Sequence, residues 1–237
     1  MPLAGVAARQ TLSAQNRLSF GACGIESHLR HLDRHARRLG ELAHLWEPTP
    51  RAAYAYVLGL YLGDGYLARH PRTMRLVVSL DTAYPEIVGE CAHAISQLMP
   101  RNPVRIVAKR GRCADVMCYS TLWPDLFPQH GAGPKHRRPI VLERWQQLVV
   151  ESVPKSFIRG LFHSDGSYFQ NPVRSPAGKH YSYDRYMFTN HSRDIRELFR
   201  WACGLVGVET RLASWRNVSV ARRDSVAKLN EFLGPKR

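Results

Sequence analysis

Two stretches of this chain end alike: "VLGLYLGDG" covers residues 57–65 and "IRGLFHSDG" residues 158–166. Gly59 and Gly160, Asp64 and Asp165, and Gly65 and Gly166 are each 101 residues apart, and the tetrapeptides "GPKH" (133–136) and "GPKR" (234–237) keep the same offset. A single glycine–aspartate coincidence would not bring a matching tetrapeptide in register far downstream. The sequence is an internal duplication, and a duplicated chain of 237 residues is confined to folds in which two similar halves bury a common seam.

Hydrophobic periodicity gives each half the order helix–strand–strand–helix–strand–strand–short helix. In the first, Thr49 is the expected cap and Pro50 the first residue of a helix that stops at Gly65. The strand "GYLAR" then pairs with "RLVVSL" (75–80), and a helix over 85–99 aligns Ile87, Cys91, Ile95 and Leu98 on one face. Strands over 103–110 and 114–120 turn at Gly111, and 121–127 is a short helix or turn. The second half repeats this. A helix starts near Pro154, and "SYFQN" and "RYMFTN" flank a loop over 171–182. A helix uses Ile195, Leu198, Phe199, Ala202 and Leu205, strands follow in "VETRLASW" and "NVSVARR", and "DSVAKLNEFLG" closes the chain. The division is 49–128 for the first repeat, 129–152 for a linker and 153–237 for the second repeat. Residues 1–48 precede them: a disordered start, then a basic amphipathic helix over 25–46 with Leu29, Leu32, Ala36, Leu39, Ala43 and Trp46 on one stripe.

The two motif helices carry small residues four apart, Gly59 and Gly63 in one, Gly160 and Ser164 in the other. Such pairs let two backbones approach closely. Apolar residues surround them, so both helices are buried, and packing one on the other makes a pseudo-twofold seam. That seam sets Asp64 and Asp165 side by side at two helix C-termini. A carboxylate is misplaced there, because the helix end is itself negative and a second carboxylate adds to the cost. A divalent cation reverses the sign of each effect. Hard oxygen donors with remaining water favour Mg²⁺, with Mn²⁺ as its substitute. One Asp–Gly pair would read as a turn. Two, related by duplication, occur in a chain with 34 Lys+Arg against 19 Asp+Glu, a net charge of +15. That combination points to a metal site on a surface that attracts polyanions, nucleic acid first among them.

The five cysteines are odd in number and form no C-x-x-C pair, which fits reduced thiols in a cytoplasmic protein, nucleoid-associated when bound to DNA. Cys113 and Cys118 lack a second pair at zinc-finger spacing, and His28, His31 and His35 lack a carboxylate or thiol to complete a site. No apolar run approaches the roughly 18 residues of a membrane span, and the first residues do not read as a signal peptide.

The paired stretches resemble the nine-residue motif of the LAGLIDADG homing endonucleases, with its glycine and closing Asp-Gly, and the likeness extends over residues 50–237. Two copies in one chain resemble the single-chain form of the family. The resemblance implies an α+β fold of two pseudo-symmetric αββαββα repeats, each with a four-stranded saddle-shaped sheet, here with an N-terminal helical extension. It also implies a monomer that straddles double-stranded DNA and hydrolyses both strands with Mg²⁺. Asp64 and Asp165 match the family's catalytic acids, with Gly63 and Ser164 beside them at the metal. Leu62 and His163 stand where the motif has its first acidic residue, and His163 is read as packing. The family's sheet-borne basic residue is assigned to Lys109 in the first half and Arg211 in the second.

Period-two alternation places Met74, Leu76 and Val78 inward and Arg75 and Ser79 outward. It places Val104 and Ile106 inward, with Arg105 and Lys109 outward. In the second half Arg185, Thr189 and Arg211 face out. These outward residues are the expected DNA readers, a two-stranded ribbon being a fit for the major groove. Lys135, His136 and Arg137, with Arg222 and Arg223, are the expected phosphate contacts. Two other functions suit the same fold: a catalytically silent DNA-binding transcription regulator, and an RNA-splicing helper. The pair of intact acids argues against silence.

Overall fold

The computed structural model describes residues 48–174, 178–233 and 236. The N-terminal basic helix expected over 25–46, part of the 171–182 loop, and Gly234, Pro235 and Arg237 of the second tetrapeptide lie outside the described residues. The first repeat runs α1 (Pro48–Asp64), β1 (Gly65–His70), β2 (Thr73–Asp81), α2 (Pro85–Leu98), β3 (Val104–Ala108), β4 (Cys113–Ser120) and α3 (Trp123–Leu126). A 3-10 turn (Lys135–Arg137) and α4 (Arg144–Ser152) follow. The second repeat is α5 (Pro154–Asp165), β5 (Gly166–Arg174), β6 (His180–Thr189), α6 (Arg193–Leu205), β7 (Arg211–Leu212), β8 (Asn217–Val220) and α7 (Arg223–Asn230). The fold is α+β, with two four-stranded antiparallel sheets of matching order, β1-β2-β4-β3 and β5-β6-β8-β7.

Alternation along the central strands builds each core. Leu76, Val78 and Leu80 of β2 and Ala114, Val116 and Cys118 of β4 are buried, on the sheet face covered by α2 through Ile87, Cys91, Ile95 and Leu98. In the second repeat Tyr186, Phe188, Val218 and Val220 are buried, and Phe188 stacks on Phe199 of α6 with ring centroids 4.4 Å apart. The opposite faces hold Arg75 and Ser79 in one sheet and Arg185 and Thr189 in the other, all only partly buried.

Several boundaries differ from the sequence reading, each for a local reason. Helix α1 already includes Pro48, so Thr49 does not stand outside it as a cap. Strands β5 and β6 continue to Arg174 and back from His180, pairing nine residues each way across much of the expected loop. Edge strand β7 is two residues long, and Ile106 on edge strand β3 is 53% exposed because nothing pairs beyond it. Leu205 lies past the covered part of α6 and is exposed, while Ile195, Phe199, Ala202 and Cys203 form its buried face. The 129–152 linker holds a helix of its own. Glu143 and Gln146 form a reciprocal capping box at the start of α4, and Val149 and Val150 are buried. Gln146, wholly buried, donates to the Tyr54 hydroxyl (2.7 Å) and accepts from Gln129 (2.5 Å), which ties the linker to α1. Among the described residues no helix is long and apolar enough to cross a membrane.

Candidate active site at the helix seam

Helices α1 and α5 meet backbone to backbone. A β-carbon on Gly59 would lie 2.6 Å from both the Leu161 nitrogen and the Phe157 oxygen, and one on Gly160 would collide with the Tyr56 carbonyl. At the lower end a β-carbon on Gly63 would overlap the Ser164 side chain and come within 2.6 Å of the Asp165 carboxylate. The small residues therefore do what their spacing implies, and they bring Asp64 and Asp165 to one place. The glycines after the acids do more than mark where the helices stop. Gly166 is extended (φ −88°, ψ 155°), and a β-carbon there would strike the Phe162 ring; one on Gly65 would sit 2.6 Å from the Tyr61 α-carbon. The chain passes from helix directly into strand over its own last turn, and only glycine clears that turn.

Burial dominates the charges, and at Asp64 repulsion from Asp165 adds to it. Burial first, and then Asp165, pushes the Asp64 carboxyl up to about 6, against the pull of Lys236 and Lys135. Asp165 is also raised by burial, opposed first by a hydrogen bond from Asn190 Nδ2 to its Oδ2 (2.8 Å) and then by Lys135, Lys236 and His191. The two lysines are the 101-residue counterparts from the GPK tetrapeptides. Lys135 Nζ donates to the carbonyls of Tyr61, Gly63 (3.2 Å) and Gly65 (2.5 Å) and lies 4.8 Å from the Tyr61 ring centre. Lys236 Nζ donates to the Ser164 carbonyl (3.3 Å) and lies 5.5 Å from the Phe162 ring centre. Tyr61 and Phe162, and Gly63 and Ser164, are again 101 residues apart. Each lysine thus places a cation at the negative end of one motif helix. Burial pulls Lys135 down to about 8 and lowers Lys236 as well, despite both carboxylates. A cleft of about 350 Å³ opens beside them, lined by Lys135, His136, Arg138, Asp165, Asn190 and His191 among others.

The remaining candidates are elsewhere. Lys109 is committed to Asp115 (2.5 Å), which also accepts from Ser79 (2.7 Å), on the outward face of the first sheet. Arg211 sits on edge strand β7, where it lines a separate 690 Å³ cleft with Arg185, Ser219 and Arg222. Neither is among the groups acting on the two carboxylates, so the basic pair at the acids is Lys135 and Lys236. Lys135 is therefore no simple phosphate contact, because its ammonium is held by helix carbonyls. Arg222 is paired with Glu209 (2.5 Å). Arg105, Arg137 and Arg223 are exposed, and Arg75 lies over the Tyr119 ring. His136 faces His191 at the cleft with ring centroids 5.7 Å apart, and Thr189 bonds Asn217 (2.9 Å). His163 is buried and bonded to the Tyr56 hydroxyl (2.9 Å), and burial takes its imidazole down to about 3, so it is a neutral packing group. Sequence reasoning missed Asn190 and His191, which only the end of β6 brings to Asp165. It named Lys135 only as a phosphate contact and missed Lys236, although the repeated GPK carried the signal.

The oxygen donors at the seam fit a hard divalent cation. The two carboxylates would hold such an ion, while the Gly63 and Ser164 carbonyls already accept from the lysine ammonium groups. Among the described residues no cluster of three or more His, Cys, Asp or Glu side chains exists. The protein alone would leave most of a cation's coordination to water and substrate oxygens, as Mg²⁺ prefers.

No protein-family model matches the sequence, and no curated protein matches it. Solved structures do. Mesophilic variants of the homing endonuclease I-DmoI superpose with a TM-score of 0.52 at 17% identity, over 78% of this chain and 97% of that one. I-DmoI in complex with DNA and Mn matches with a TM-score of 0.50 at 15% identity, over 79% of this chain and 99% of that one. Its complex with DNA and Ca gives 0.51 at 16% identity, over 78% and 91%. With two repeats in one chain, two four-stranded antiparallel sheets and paired motif helices in contact, the fold of this protein is that of the LAGLIDADG homing endonucleases.

Proposed function

We propose that this protein is a sequence-specific DNA endonuclease that hydrolyses both strands of double-stranded DNA, acting as a monomer on chromosomal DNA in the cytoplasm. The observation that carries the reading is the seam itself. Two carboxylates abut at two helix ends, each helix end carries its own lysine, and the whole lies between two antiparallel sheets in a chain of net charge +15. The DNA complexes of the structural neighbours support it.

A Mg²⁺ ion bound between the acids would neutralise phosphate charge and acidify a coordinated water. Asp64 and Asp165 would hold that ion, and Asn190 fixes the Asp165 carboxylate through its hydrogen bond. Lys135 Nζ, its ammonium held by the Tyr61, Gly63 and Gly65 carbonyls, keeps a positive charge beside the acids, where it would stabilise negative charge developing on the phosphate. Outward residues of the two sheets, Arg75 and Arg105 in one and Arg185 and Arg211 in the other, read base edges. Arg137 and Arg223 contact phosphates, which gives affinity a steep salt dependence.

A supercoiled plasmid library carrying candidate targets, incubated with the protein and Mg²⁺, tests this. Linear product at a defined sequence supports the endonuclease. Retarded but uncut DNA would replace it with the silent regulator, and retention only on structured RNA with the splicing helper.

A further inference from the structure

Beneath the acids, the seam carries a polar cross-brace that the cleavage chemistry does not use. Arg159 of α5 grips Glu90 of α2 with both ends of its guanidinium, Nε to Oε1 at 2.7 Å and Nη2 to Oε2 at 2.8 Å. Its remaining nitrogen, Nη1, donates to the carbonyls of Phe232 (2.6 Å) and Leu233 (3.2 Å). The brace thus joins the first repeat, the second motif helix and the C-terminal segment. His163 completes it from the side, bonded to Tyr56 and 3.8 Å from Glu90. Leu233 is buried, and three residues beyond it comes Lys236, on the Ser164 carbonyl. Three residues of chain span at most about 10 Å, so a fixed Leu233 carbonyl confines the lysine to the neighbourhood of the acids.

The other lysine is anchored by different means. The turn bearing Lys135 is tied through Arg138 to the Gln129 carbonyl and through Gln129 to Gln146 and Tyr54. Position 58, which lies 101 residues before Arg159, is a buried leucine. The duplication kept the lysines but gave them unrelated supports.

We propose that Arg159 is a positioning residue, which, held by Glu90 of the opposite repeat, sets Lys236 at the carboxylate pair and supports only that one of the two lysine-bearing half-sites. The link to cleavage rests on the endonuclease reading; the placement of Lys236 does not. A bidentate guanidinium on a carboxylate and two carbonyls uses four of its five donors, a geometry that lysine or methionine cannot reproduce. Loss of the brace releases the Phe232 and Leu233 carbonyls, and with them the restraint on Lys236, while Asn230, bonded to Tyr186 (2.5 Å), still retains α7.

The test compares Arg159→Met, Arg159→Lys and Glu90→Gln with the wild type. Its first readout needs no DNA: brief acetylation with an N-hydroxysuccinimide acetate, with each lysine followed by mass spectrometry. Lys236 should label about 10-fold faster in Arg159→Met than in the wild type, with Lys135 unchanged. Arg159→Lys should recover part of the protection, and Glu90→Gln should give an intermediate rate. The second readout is strand-resolved cleavage of a selected target. One strand's nicking should fall about 10-fold or more relative to the other's, so that nicked circles accumulate. Unchanged Lys236 labelling, or equal rises at Lys135 and Lys236, would overturn the proposal. If Arg159→Met does not fold, the labelling ratio in Glu90→Gln decides. A wild type that cuts neither strand would sink the endonuclease reading while the labelling still judges the brace.

Discussion

The two repeats spend their strand length differently. In the first, the long ladder is central: β2 and β4 pair over eight residues, and the β1–β2 hairpin over six. In the second, the outer hairpin is long, with nine pairs between β5 and β6 but only four between β6 and β8 and two at β7. The acid-bearing ends differ as well. Among the described residues Lys135 grips three carbonyls of its helix end and Lys236 one, whereas Asp165 has Asn190 and Asp64 is pushed up to about 6 by burial and by Asp165. What stayed constant is what two helices in contact demand of each other: the small residues, the acid, the glycine that clears the last turn, and a lysine. The small residues of the two helices touch across the seam, so a change in one is felt by the other. The sheet flanks face outward and were free to diverge; on the endonuclease reading, that divergence would let one chain read a target lacking twofold symmetry.

The sharpest way to break this comparison is to remove one acid at a time. Asp64→Asn and Asp165→Asn each keep shape and lose charge, and each should lower linear product from a target plasmid by about 10²–10³-fold or more. DNA affinity measured without metal should hold or rise, since a negative charge facing phosphate is gone. Equal losses mean the carboxylates act as one shared centre. A variant that still nicks one strand at the wild-type rate would show two independent centres instead.

The seam was legible in the sequence because it is made of spacing: Gly59 to Gly63, Gly160 to Ser164, and an offset that repeats. The inward and outward alternation of β2 was legible for the same reason. Helix α4 was not, because Gln146, the polar residue that docks it, looks solvent-facing until Tyr54 and Gln129 are placed beside it. Nor were Asn190 and His191, since nothing in a short polar stretch after a strand says that it returns to a carboxylate 25 residues earlier. The basic pair was sought on the sheets, at Lys109 and Arg211, while "GPK" was read as evidence of repetition and Lys135 as a phosphate contact. A motif that survives duplication outside any apolar pattern is itself a sign of a shared electrostatic task.

A smaller effect sharpens the comparison at the seam. Gly160 faces the Tyr56 carbonyl directly, whereas Gly59 meets the Leu161 nitrogen and Phe157 oxygen at 2.6 Å. Backbone cannot swing away as a side chain can, so overpacking here costs about 3 kcal/mol or more. Gly160→Ala should lower the unfolding free energy in urea more than Gly59→Ala does. Gly89, with open space around its α-carbon, should accept alanine with a gain of roughly 0.5–1 kcal/mol, as expected in a helix interior. Equal tolerance at Gly59, Gly160 and Gly89 would mean that the helices do not touch as described.

The smallest effect is a pH dependence set by the acids. The folded Asp64 carboxyl lies at about 6, above the 3.8 of an unperturbed group. The folded state therefore binds more protons than the unfolded chain between those values, and stability falls as pH rises through that window. Below it the carboxyl is protonated in both states; above it the full penalty for a buried charge is present, on the order of 1–3 kcal/mol. Asp165 is raised as well and adds to the same slope. Urea unfolding of the metal-free protein should thus give a stability that declines from pH 4 to pH 6.5. Asp64→Asn should flatten the decline, more so than Asp165→Asn, whose acid is partly relieved by Asn190. Adding Mg²⁺ should restore stability only above about pH 6, where the carboxylates are ionised and able to bind it. A wild-type profile that rises over this window would place both carboxylates in an environment that favours their charge, and the seam would then need no cation.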